Sequence, residues 1–189
     1  MKTHKILSLA ALLLFLISAC KKEEQVVSPP LPGNEFLTTI QLRLISSDQQ
    51  DTVTAVWRDL TPEDSNPADT ANAVLTLKAN TTYAAVIELL DETKTPAEDI
   101  TGEIQERANY HRIFYFPSSA LGNNLVWTVN DLDTNTPPLA LGITASVSTL
   151  DVASGSLNVI LRHQPNVKDG TFAPGSTDID VHFRVNITL

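Results

Sequence analysis

Of the four histidines in the chain, His163 has the most suggestive surroundings. It ends one run of alternating apolar and polar residues, and Asp178 begins the next, with residues 164–176 reading as the loop between them. A hairpin would bring imidazole and carboxylate together, and such a pair can hold a divalent metal. Strand parity argues the other way. His163 shares a face with Leu161 and Val159, whereas Asp178 shares the outer face with Asp180, His182 and Arg184. Arg162 is then the better partner for Asp178, in an outer-face ion pair worth little. His111 follows a helical segment, where the dipole favours a protonated imidazole, so it reads as a helix cap. The expectation is no bound metal and no cofactor, with His163, Asp178 and His111 as the residues a site would have to use.

Two other patterns invite chemistry and fail on spacing. Asn130-Asp131-Leu132-Asp133-Thr134-Asn135 places oxygen ligands as a calcium loop does, but Thr136 and Gly142 stand where such loops need Gly and Glu. A polar hairpin turn closed by Pro137-Pro138 is the better reading. No Gly-x-Ser-x-Gly occurs, and Gly155-Ser156 falls in a loop without a patterned histidine. The many carboxylates read as an acidic surface. No enzymatic activity is expected.

The lone cysteine has a different chemistry. Residues 6–17, apolar except for Ser8, follow Lys2 and Lys5. Twelve residues are too few to span a bilayer, which takes about 20, yet suit the core of a signal peptide. The run ends Ile17-Ser18-Ala19-Cys20, which resembles the bacterial lipobox, where the thiol is diacylated and cleavage leaves Cys20 first. Residues 1–19 therefore read as a lipoprotein signal peptide. Their removal takes away two lysines and no acid, leaving 170 residues with 11 basic against 22 acidic side chains. So acidic a body would be repelled by anionic headgroups and must attach through its lipid. It is equally unsuited to nucleic acid, which is held by Lys and Arg.

Residues 20–35 read as the lipidated cysteine and a tether. Pro29, Pro30, Pro32 and Gly33 exclude helix and central strand, and at polyproline pitch the segment reaches about 40 Å. Lys22-Glu23-Glu24 resembles the export signal of Bacteroidota surface lipoproteins, and reads equally well as a solvated charge cluster. Both the cell surface and the periplasmic face of the outer membrane stay open.

From residue 36 to the end, period-two alternation predicts short strands. Ile40, Leu42 and Leu44 point one way, and Thr39, Gln41 and Arg43 the other. Further strands are predicted over 74–78, 83–90, 112–116, 125–129, 141–149, 157–163 and 177–189, with a loop over 60–72. The fold expected is all-β, an immunoglobulin- or fibronectin-like β-sandwich with one short helix. For that helix, Thr95-Pro96-Ala97-Glu98 reads as a capping box, and Ile100, Ile104 and Ala108 as the apolar stripe of about three turns. It should lie across an end or edge of the sandwich.

Leu77-Lys78-Ala79-Asn80-Thr81-Thr82-Tyr83 resembles the tyrosine corner of fibronectin type III domains, whose phenol bonds back across a turn. Asn80-Thr81-Thr82-Tyr83, Pro96-Ala97-Glu98-Asp99-Ile100, Leu161-Arg162-His163-Gln164-Pro165 and Thr177-Asp178-Ile179-Asp180-Val181, in this order behind a lipobox, resemble a family of small Bacteroidota lipoproteins. Its members are often labelled "type 1 periplasmic binding fold superfamily protein". That label implies two α/β lobes, whereas 170 residues with one helix imply a single β domain. Arg107 and Asn109 interrupt the acid-rich helix common in the family, which weakens any idea of a cation-binding helix here.

The resemblance implies a lipid-anchored, noncatalytic binding or accessory module, capturing ligand beside an outer-membrane nutrient-uptake receptor. A structural or adhesion lipoprotein without a small ligand is the alternative, and a divalent-metal carrier the third. A monomeric domain is expected.

Overall fold

The computed structural model describes residues 37–62 and 64–189; the leader, Cys20, the Lys22-Glu23-Glu24 cluster and the tether lie outside the described residues. Two sheets stack as a sandwich. One holds β1 (Thr39–Ser46), β2 (Thr52–Arg58), β4 (Thr82–Asp91), β7 (Leu125–Val129) and β8 (Thr144–Thr149), in the order β2-β1-β4-β8-β7. A two-residue strand, β5 (Glu98–Asp99), adds to β4. The second sheet holds β3 (Val74–Lys78), β6 (His111–Pro117), β9 (Ala153–His163) and β10 (Ser176–Thr188), in the order β3-β10-β9-β6. Only β3 with β10 is parallel among these pairings. The all-β sandwich expected from the alternation is the observed architecture.

Period-two patterning builds the core, because alternate side chains of a strand leave on opposite faces. Ile40, Leu42 and Leu44 of β1 are buried, as are Tyr83, Ile87 and Leu89 of β4. From the facing sheet come Val159 and Leu161 of β9 and Val181, Phe183, Val185 and Ile187 of β10. Each such burial stabilises by about 1.5–3 kcal/mol. Leu189, expected to continue this face, is fully exposed beyond the last strand.

The helix differs from expectation at its start. α1 (Ile100–Glu106) has two turns, and its N-cap is Asp99, whose carboxylate accepts from the Thr101 N–H at 2.9 Å. Thr95 and Glu98 do not form the expected box. Glu98 and Asp99 instead pair with Asp91 and Leu90, and the Leu89 N–H donates to Thr101 Oγ1 at 2.8 Å. The physical reason is the edge of β4, which β8 covers only as far as Val86. Its remaining backbone groups need partners, and β5 and α1 supply them. The helix therefore lies at a sheet edge, with Ile104 buried. The chain then makes one 3-10 turn, Ala108–Tyr110, before entering β6.

The tyrosine corner forms as its residues suggest: the Lys78 N–H donates to Tyr83 Oη at 2.9 Å, and that hydroxyl donates to Asp51 at 3.2 Å. A stronger tie, absent from the sequence reading, closes the other end. Lys168, in the β9–β10 loop, meets Asp133, in the β7–β8 loop, at 2.7 Å. Neither side chain is exposed by more than 1%. Lys168 also donates to the Ala108 carbonyl at 2.9 Å, so one ammonium joins loops of both sheets to the 3-10 turn.

Removing one partner of such a pair strands a charge away from water. Lys168→Met is expected to cost about 3–5 kcal/mol in urea unfolding. Lys78→Met, at the looser and more exposed Lys78–Asp51 pair (3.8 Å), should cost no more than about 1 kcal/mol. Equal losses in the two variants would refute the ranking.

Candidate functional site

β6 and β9 enter the same end of the sandwich with His111 directly opposite His163. Their rings stack, with centroids 4.8 Å apart and planes 11° from parallel. Both belong to the inward-facing parity that Ile113, Leu161 and Val159 share. The β9–β10 loop closes tightly behind them. Gly175 has φ +82°, and a Cβ there would stand 2.0 Å from the His163 carbonyl oxygen, so only glycine fits.

Asp178 departs from the parity argument. Ser176 pairs with His163 and Thr177 with Arg162, but Ile179 pairs with Leu161, leaving Asp178 as the extra residue of a β-bulge. A bulge re-aims a side chain and breaks the two-residue count that assigned Asp178 to the outer face. One ligating atom from each of His111, His163 and Asp178 lies within 4.8 Å of the others. The expected Arg162–Asp178 ion pair is corrected too. Arg162 donates to Thr177 Oγ1 at 2.5 Å and to the carbonyls of Ala173, Pro174 and Gly175 at 2.7–3.2 Å, which ties the loop down.

His111 is fully buried. Its Nδ1 lies 3.1 Å from the carbonyl oxygen of Arg107, the residue ending α1. A carbonyl only accepts, so Nδ1 carries the proton and Nε2 the lone pair. The expected contact with the helix end is made, but by a neutral ring. Burial, helped by the charges of His163, Arg107 and Lys168 and opposed by the Arg107 carbonyl, pulls its pKa down to about 4. Buried Nε2 meets no hydrogen-bond partner among the described residues.

The calcium-like segment 130–135 is engaged otherwise. Asp131 accepts from the N–H groups of Gly142, Ile143 and Thr144 at 2.9–3.1 Å, and Asp133 from those of Asn135 and Leu139. Burial pushes the Asp133 carboxyl up, but Lys168 and these amides outweigh it and hold it below the usual range. Both carboxylates thus brace the β7–β8 connection, consistent with a polar turn.

Sequence reasoning missed an aromatic patch on the outer face of the second sheet. Phe172, from the β9–β10 loop, packs edge-on against Phe114 and Phe116 of β6 with ring centroids 5.3 and 5.6 Å away. Arg112 lies over Phe114, and Arg162 over Phe172. The signal was present: residues 112–116 carry apolar side chains at both parities, the mark of a strand covered on both faces.

No protein-family model, curated protein or solved structure matches this chain.

The His111 environment sets a pH dependence. A buried ring near pKa 4 that returns to about 6.5 on unfolding binds fewer protons folded than unfolded between these values. Its stabilising contribution is complete above about pH 6.5 and is lost as pH falls toward 4. With chelator present, urea midpoints should fall from pH 7 to pH 4.5 by the equivalent of roughly 2 kcal/mol more in wild type than in His111→Phe. A variant with the wild-type slope would exclude His111 as the cause.

Proposed function

We propose that this chain is a lipid-anchored, noncatalytic binding or accessory module of the outer membrane. The observation that carries this reading is Ile17-Ser18-Ala19-Cys20 behind a twelve-residue apolar run, which supplies both a cleavage site and a thiol to acylate. The proline-rich stretch that follows would hold the sandwich clear of the bilayer. The noncatalytic part is supported by what Asp131, Asp133 and Arg162 do: all three are engaged in bracing loops. Ligand capture beside a nutrient-uptake receptor is the most specific form of the reading, and rests on the family resemblance alone.

A second reading, an adhesion or interaction lipoprotein, has its own observation. Phe116 of β6, an edge strand of its sheet, and Phe172 of the β9–β10 loop are each at least 40% exposed. Half-exposed aromatic rings flanked by arginine suit a protein or glycan surface.

The anchor is tested by Cys20→Ser in cells that process lipoproteins. The variant should be found unprocessed or in the soluble fraction, while wild type pellets with outer membranes as the mature form. A Cys20→Ser chain that still fractionates with membranes at mature size would overturn the lipid anchor.

A further inference from the structure

We propose that His111, His163 and Asp178 form a binding site for a divalent transition-metal ion of the zinc type. The site does not depend on the anchoring proposal, because all three residues belong to the folded sandwich.

Three observations converge on it. The first is the proximity of the donors, with one ligating atom from each residue inside a 4.8 Å circle. Zinc bound at about 2.0–2.2 Å from nitrogen and oxygen needs its ligands closer than that, so the ligands must draw together by less than about 1.5 Å. His163 and Asp178 have room to do so, since both are only half-buried and flank a loop.

The second observation is the state of His111. Its Nδ1–H points at the Arg107 carbonyl, which fixes the tautomer and leaves the Nε2 lone pair without a donor among the described residues. A carbonyl accepting from the distal nitrogen is the usual support behind a metal-bound histidine.

The third is the bulge. A regular β10 would place Asp178 opposite Arg162, on the far side of the sheet from both imidazoles. The bulge between Thr177 and Ile179 brings the carboxylate to them instead.

Two imidazoles and one carboxylate suit zinc, cobalt, nickel or copper and not calcium or magnesium, which require oxygen ligands. Lys168, whose charge reaches His111, is itself paired with Asp133. Three protein ligands leave a coordination position for water or for a ligand atom brought by a partner.

The test uses the full chain, detergent-extracted, carrying no polyhistidine tag and stripped with chelator. Zinc is expected to raise Tm by roughly 5 °C or more once it is about 100-fold above Kd, with no comparable rise from calcium. Cobalt should develop the visible absorption of a low-coordinate nitrogen–oxygen site. His163→Gln and Asp178→Asn, both at half-buried positions, should fold and should each lose the zinc response at least tenfold in affinity. His111→Phe should abolish it. No rise with zinc, cobalt, nickel or copper overturns the site. So does a zinc response that survives in both His163→Gln and Asp178→Asn, or a calcium response equal to that of zinc.

Discussion

The buried contact between Lys168 and Asp133 is the constraint on which one end of this molecule depends. Two ions of this size lose several kcal/mol of hydration each on burial, and their attraction repays it only when the remaining donors and acceptors are filled. Here they are filled: Lys168 reaches the Ala108 carbonyl as well, and Asp133 collects two backbone N–H groups and the Asn135 side chain. The pair joins loops that belong to different sheets, so the two layers cannot slide without separating it. It also fixes the 3-10 turn through which the chain passes from α1 into β6, and hence the entry of His111. The neighbouring Gln164 N–H donates to the Tyr110 carbonyl at 2.6 Å, so the start of β6 and the end of β9 are held in register at one clamped point.

Most of the layer structure was legible because burial between two sheets imposes alternation, and alternation is visible in a sequence. Ile40, Leu42 and Leu44, or Val181, Phe183 and Val185, can face only one way. The helix start was misread for a physical reason. Thr95-Pro96-Ala97-Glu98 satisfies every local rule for a cap, but the exposed half of the β4 edge offers Glu98 and Asp99 two backbone pairings. Local capping is worth about 1 kcal/mol, so a long-range sheet contact can override it. The Lys168–Asp133 pair was invisible because nothing local marks it; Val167-Lys168-Asp169-Gly170 looks like any solvated turn.

The histidine cluster was half legible, and the missing half is instructive. The topology was read correctly, since a β9–β10 hairpin does bring residues 163 and 178 to one place. Parity was then applied across the full length of β10, which assumes one residue per step. A bulge adds a residue without changing composition, and from Asp178 toward the hairpin loop every face assignment inverts. His111 was judged by its position after a helix, where the dipole favours charge by about 0.3–1 kcal/mol in exposed settings. Full burial exceeds that term and the ring is neutral.

Neutrality changes what the cluster means. A protonated His111 would carry a proton on both nitrogens and have no lone pair to offer a ligand. A neutral ring whose one proton is committed to Arg107 leaves a lone pair buried in the core, and an unmet buried acceptor typically costs about 1–3 kcal/mol. In the same region Asp131 and Asp133 have protein donors for their oxygens, whereas Gln164 donates its amide N–H groups to the Thr171 and Pro174 carbonyls and leaves its buried Oε1, like His111 Nε2, without a partner among the described residues. Stacking on His163 offsets part of the cost but supplies no donor to Nε2, because contact through ring faces leaves the in-plane lone pair unmet. A group able to accept that lone pair would recover the loss, and a cation with room for His163 and Asp178 in its shell recovers most. The bulge that misplaced Asp178 on paper is therefore the same feature that completes the set of donors.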